Sequence, residues 1–242
     1  MAAHPEHASC AQRSNRSPLT RAVSAGVALG MAAAALAAPV HGWAGGPYVG
    51  ASGGHAWVDV NAGDIENAFA VDDAFVASGT SIDDTDTAWK AYAGYRFNRY
   101  LAVEIGYVDL GQATFVTTVT SAPPPYNAFT PFEIHGTAEA TGYNLVAVVG
   151  VPLGPGAMLF AKAGAFRWEA DFTERVPGLS AARVARTERD TKPTYGVGIE
   201  LRLWEALRLR AELERFEEVG SGIGGREGID VDVASAGLVF QF

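Results

Sequence analysis

The sequence predicts an all-β protein, an eight-stranded antiparallel up-and-down transmembrane β-barrel. Three observations carry that expectation. From Gly45 onward apolar residues recur with a period of two, in segments of about ten residues separated by turn signals. No apolar run beyond that point approaches the ~18 residues that a membrane helix needs. The connections between segments also alternate between short and long.

The chain has 242 residues, 48% of them hydrophobic, and a net charge of −9. Residues 1–44 read as a secretory signal peptide and residues 45–242 as the barrel domain. Arg13, Arg16 and Arg21 form a basic n-region, and the Ala-rich run from Ala22 to Ala38 is the apolar core of the signal. Gly42 and Ala44 flank Trp43 in a small-x-small site, so cleavage is expected after Ala44, with Ala37 the second choice. A retained N-terminal anchor is the competing reading, disfavoured by the short, Ala-rich run. The first 44 residues carry those three arginines against Glu6, which leaves 15 basic against 26 acidic residues in the remainder. So acidic a chain is a poor partner for nucleic acid. Cys10 is the single cysteine and precedes the hydrophobic run, so the exported part has neither disulfide nor thiolate chemistry.

The first strand is expected at Pro47 to Asp59 and the second at Asp86 to Phe97. In the second, Trp89, Ala91, Ala93, Tyr95 and Phe97 share one face and Lys90, Gly94 and Arg96 the other. Asn98, Arg99 and Tyr100 turn the chain into a third strand, Leu101 to Thr114, whose Leu101, Val103, Ile105 and Tyr107 alternate with Glu104 and its neighbours. The fourth runs from about Ile134 to Pro152 and meets the fifth, Ala157 to Phe172, across a Gly/Pro turn at Gly154, Pro155 and Gly156. The sixth and seventh, Thr194 to Leu203 and Leu207 to Glu217, are joined through Trp204, Glu205 and Ala206. The eighth is Ile229 to Phe242.

Connection length then sorts by parity: pairs 2/3, 4/5 and 6/7 have short turns, the others long loops. An up-and-down membrane barrel with short inner turns and long external loops requires that alternation. A half-exposed soluble sheet does not. Lys90, Glu104, Lys162, Glu200, Arg202, Arg208, Arg210, Glu212 and Glu214 all fall opposite an apolar stripe, with both signs represented. Lipid makes such groups costly, whereas a narrow lumen lets them pair.

The chain ends in Ser235, Gly237, Phe240 and Phe242 at alternating positions, with the aromatic last. With the stretches Asp83 to Lys90, Gly94 to Phe97, Leu101 to Gly111, Gly196 to Glu200 and Leu209 to Glu212, this end resembles the OmpA-like transmembrane barrel family. The resemblance spans Gly45 to Phe242. It implies that Ser235, Gly237, Phe240 and Phe242 form the signal read by the outer-membrane barrel assembly machinery. It also implies that Glu104, Glu200 and Arg210 are interior salt-bridge residues, with Lys162 a further interior cation. Val148 stands where some members have an interior lysine, so Lys162 or Arg202 is expected to serve Glu200 instead. The peptidoglycan-binding domain of many members is not expected here, nor is cell-wall tethering.

His55 and His135 are read as rim residues, because no Ser or carboxylate element of a hydrolase accompanies either. The loop from Val60 to Thr85 is acidic but lacks calcium-loop spacing. The segment from Thr173 to Pro193, with Arg175, Arg183, Arg186, Arg189 and Lys192, is expected to contact lipopolysaccharide phosphate or to pair with the acidic loop. Pro123 to Tyr126 stiffens a long loop, and Gly220 to Gly228 is a flexible loop rather than a phosphate site. The expected function is a structural and surface-interaction role for a barrel with a charge-filled lumen; a small pore or transporter is the alternative. No catalytic site, metal or cofactor is expected. Outer-membrane lipids, lipopolysaccharide and the assembly machinery are the expected partners of a monomer in the bacterial outer membrane.

Overall fold

The computed structural model describes residues 45–242 except 59–62, 64–65, 67–75, 84, 125, 178–182 and 221–227. The signal-peptide assignment at 1–44, the centre of the acidic loop and most of the 220–228 loop lie outside the described residues.

The strands are β1 (Gly46–Val58), β2 (Val76–Asp83), β3 (Thr85–Arg96), β4 (Leu101–Ser121), β5 (Phe132–Pro152), β6 (Ala157–Arg175), β7 (Arg183–Arg202), β8 (Leu207–Val219) and β9 (Ile229–Gln241). They form an antiparallel sheet of nine strands in which β4 also pairs with β5. That pairing makes β1, β3, β4, β5, β6, β7, β8 and β9 a closed ring, with β1 against β9 from Tyr48↔Gln241 to Val58↔Val231. Closure leaves no sheet edge in the lipid, where unpaired backbone groups cannot be tolerated.

The ninth strand is an extension rather than a ninth stave. β3 pairs with the lower part of β4, up to Trp89↔Asp109, and β2 takes over from Asp83↔Thr114 to Val76↔Ser121. The exchange is set by a bulge at Gly111, whose φ of +81° favours glycine. Asp109 Oδ1 accepts from the Gly111 amide at 2.9 Å and Asp86 Oδ2 from the Gln112 amide at 2.7 Å, which pins the bulge.

The strand extents expected from alternation need correction at the long-loop end. β2 lies inside the segment expected to be an acidic loop, and β7 begins at Arg183 rather than Thr194. The segment from Thr173 to Pro193 is therefore largely a β6–β7 ribbon, paired from Arg175↔Arg183 downward. At the other end the turns are tight: Asn98 Oδ1 accepts from the amides of Tyr100 and Leu101, and the Leu153 and Leu203 amides donate to the Ala157 and Leu207 carbonyls. Tyr126–Phe129 forms a 3-10 turn in the β4–β5 connection.

The outside of the ring is apolar where it must be. Leu101, Ile105, Leu145, Val149, Leu159, Val197, Leu209, Leu213 and Leu238 all point outward and are exposed. In water that pattern would be a large liability; in a bilayer it is the lipid contact. Tyr95, Phe97, Tyr100 and Trp204 crowd the short-turn end, and Trp57 and Tyr143 stand further up, as interfacial aromatics do.

Candidate functional site: the barrel lumen

Two charge layers and two apolar layers fill the interior. In the lower charge layer Arg210 Nη2 donates to Glu104 Oε1 at 2.7 Å and to Glu200 Oε1 at 2.6 Å. Arg96 Nη2 donates to Glu200 Oε2 at 3.1 Å, and the Tyr48 hydroxyl to Glu104 Oε1 at 2.6 Å. The Arg210 guanidinium lies 4.9 Å from the centre of the Tyr92 ring and 4.7 Å from that of Phe160. All of these side chains are buried, Arg210 and Glu200 completely.

The sheet register explains the grouping. Glu200 sits directly opposite Arg210 across β7 and β8, both inward, and Glu104 reaches Arg210 from the far wall on β4. Two cations, Arg96 and Arg210, thus face two carboxylates, Glu104 and Glu200. The expectation that Lys162 would serve Glu200 is corrected: Lys162 bonds to Glu212 and Glu214, and Glu200 is paired with Arg96 and Arg210. Arg96 is the more useful stand-in because it projects from β3 across the bore, at the height of Met158, whose sulfur accepts from Arg96 Nη1 at 3.2 Å. Arg202 is only partly buried, near the short turns.

The upper charge layer is a square. Lys90 bonds to Glu212 and, at 2.6 Å, to Glu214; Lys162 bonds to Glu212 at 3.0 Å and to Glu214 at 2.8 Å. Glu212 and Glu214 are adjacent inward positions of β8, and the two lysines come from β3 and β6 on either side of it. Charge again balances within the layer, which is what a desolvated set of ions requires. Arg208, fully buried, lies below both layers.

Above the square the walls of β4, β6, β8 and β9 turn apolar, while β7 keeps Lys192 and Asp190 opposite Phe166 and Trp168. Phe166, Trp168, Phe216, Val108, Leu110, Val231 and Val233 form one buried cluster, with the Phe166 and Phe216 rings edge to face at 4.7 Å. The expectation of a lumen filled by charge is thus refined: its outer part also holds an apolar plug. A second cluster of Tyr48, Tyr92, Ala102, Val146, Val148, Phe160 and Val239 packs around the lower ions. Val148, at the position noted for its missing lysine, belongs to that packing.

At the chain end, Ser235 faces inward and is buried, and a Cβ on Gly237 would collide with β1. Phe240 and Phe242 are in edge-to-face contact at 5.4 Å. Among the described residues, two cations of the β6–β7 ribbon pair within the ribbon and with β8. Arg189 Nε donates to Glu169 at 2.6 Å, and Lys192 bonds to Glu218 and Asp190. The Arg189 guanidinium holds the Glu169 carboxyl below its usual range by direct hydrogen bonding. His55 is exposed on the outer face, and His135 lies 3.2 Å from Glu133.

Residues 44–242 match the OmpA-like transmembrane domain. The chain belongs to that family of outer-membrane β-barrels. It is 26% identical over 175 residues to outer membrane protein A of Shigella flexneri, covering 71% of this chain and 44% of the relative. Outer membrane protein A of Salmonella typhi is 26% identical over 156 residues, covering 63% and 39%. The OmpA-like chain thus spans less than half the length of these curated relatives. Among solved structures, the outer membrane protein OprG from Pseudomonas aeruginosa aligns at 15% identity with a TM-score of 0.47, over 84% of this chain and 98% of that one. Neisserial surface protein A aligns at 15% identity with a TM-score of 0.44, over 81% and 97%.

Proposed function

We propose that this OmpA-like barrel is a closed, non-conducting protein of the bacterial outer membrane that supports the envelope and presents its extended outer strands and loops for surface interactions. The observation that carries this reading is the stacked lumen. An ion travelling along the bore would have to displace Arg96, Lys90 or Lys162 from paired carboxylates and then cross the apolar layer of Phe166, Trp168 and Phe216. Moving a bare charge into an apolar layer without a partner is far more costly than any single step in water. An eight-stranded bore is in any case only wide enough for side chains to fill.

Purified protein in planar bilayers tests the reading. The expected record shows no steady conductance at moderate voltage, and reproducible steps would favour a small pore instead. The interaction role rests on the long outer ribbons of β4–β7, which stand clear of the lipid-facing band. The same reading assigns export and assembly to segments 1–44 and 235–242, and it assigns no catalytic step to any residue.

A further inference from the structure

We propose that Arg167, together with the aromatic row of Trp89, Tyr107 and Tyr143 beside it, is an external binding site for a phosphorylated glycolipid of the outer leaflet. The sheet register lays out the site. Arg167 lies directly opposite Tyr143 across β5 and β6, and Tyr143 directly opposite Tyr107 across β4 and β5. Tyr107 and Tyr143 are edge to face at 5.3 Å, and Tyr107 meets Trp89 at 5.5 Å. Trp89 is held in place by its Nε1, which donates to Asp109 Oδ2 at 3.1 Å. The result is a ledge of three linked rings ending in an exposed guanidinium.

Height and charge select the ligand. β6 leaves the short-turn end at Ala157, and with a rise of ~3.3 Å per residue at a tilt of about 40° it climbs roughly 25 Å before reaching Arg167. That is the thickness of the apolar band, so Arg167 stands where headgroup phosphates lie. Immediately below it the outer face carries only Leu145, Ala165 and Pro193. The other outward cations nearby are already committed: Arg189 to Glu169, and Arg215 to Asp232 through two bonds of 2.7 and 2.5 Å. Among the described residues Arg167 has no hydrogen-bond or ion-pair partner. A guanidinium matches a phosphate in geometry and charge. The rings beside it offer flat, amphipathic faces to a sugar, which a phospholipid headgroup lacks.

The test uses the full exported chain folded in detergent micelles, with bisphosphorylated lipid A as probe and native mass spectrometry as readout. Wild type should hold lipid A about tenfold more tightly than phosphatidylglycerol. Arg167→Gln should lose about tenfold in lipid A affinity, equivalent to ~1.4 kcal/mol. Tyr143→Leu should erase the preference for lipid A over phosphatidylglycerol, and Arg189→Gln should leave binding within twofold of wild type. Heat-dependent gel mobility shows that each variant retains the barrel. Unchanged lipid A binding by Arg167→Gln overturns the proposal. Equal binding of phosphatidylglycerol by wild type overturns the glycolipid assignment, and displacement by millimolar inorganic phosphate would identify a free-anion site instead. None of these outcomes depends on whether the lumen conducts.

Discussion

Arg210 is the side chain on which the lower lumen converges: it binds two carboxylates and lies between two aromatic rings. Its partners are unequally dependent on it. Among the described residues, without Arg210 Glu104 keeps the Tyr48 hydroxyl and Glu200 keeps Arg96. Without the Glu104 charge, Arg210 still has Glu200. Arg210→Met should therefore cost more than Glu104→Gln, at about 3–5 kcal/mol for stranding a buried charge, and the double variant should cost less than the sum. Urea unfolding in lipid vesicles measures all three, and strict additivity would show that the pair is not coupled. Phe242 should behave differently. It sits at the chain end against Phe240, and its proposed role is recognition during assembly, so Phe242→Ala should lower the amount of barrel in the membrane while leaving the urea midpoint of the inserted fraction nearly unchanged. Alternation alone told which side chains point inward, and Glu104, Lys162, Glu200 and Arg210 were all legible that way. Pairing was not: Glu200 meets Arg96 from a strand that is distant in sequence, and that depends on the bore's shape.

At the scale of the strand, one pattern in the sequence marks where three of the staves leave the membrane. On β6 the inward series Phe160, Lys162, Gly164 becomes Phe166, Trp168, Ala170, while the outward series Leu159, Ala161, Ala163, Ala165 becomes Arg167, Glu169, Asp171. β8 inverts in the same way at Glu214 and Arg215, and β9 at Ser235 and Asp232. Outside, lipid gives way to water and the outward positions become polar; inside, the ionic layer gives way to the plug. Strand ends were misjudged in the sequence because that inversion resembles a break in alternation, although the period of two continues through it. The staves also fit by ring-over-glycine packing. Tyr48 is paired with Gly94 and Tyr92 with Gly50 across β1 and β3, and a methyl group built on either glycine would run into the facing ring. Gly94→Val should thus destabilise the barrel by about 1–3 kcal/mol through overpacking, whereas Gly156→Val, in an open turn with nothing near its Cβ position, should have little effect. Comparing their urea midpoints checks the difference.

At the scale of the whole barrel, the two kinds of layer resist ions in different ways. The charge layers are polar, and a single broken pair there can be re-paired within the square or solvated by an entering water molecule. The plug has no such recourse: Phe166, Trp168 and Phe216 are each no more than 1% exposed and are surrounded by Val and Leu side chains. It follows that the plug, rather than the salt bridges, should set the barrier to conduction. Trp168→Ala with Phe216→Ala removes two of the large blocks of the plug, from β6 and β8 on either side of β7, at a cost of about 3–5 kcal/mol each. The closed backbone ring, which those side chains do not bond, should still form. In planar bilayers this double variant should show discrete conductance steps, while Lys90→Gln, which breaks the square but leaves the plug, should remain silent like wild type. Heat-dependent gel mobility confirms that both variants hold the barrel before conductance is compared. The opposite result, steps in Lys90→Gln and silence in the plug variant, would move the barrier to the charge layer and refute the assignment of closure to the apolar segment.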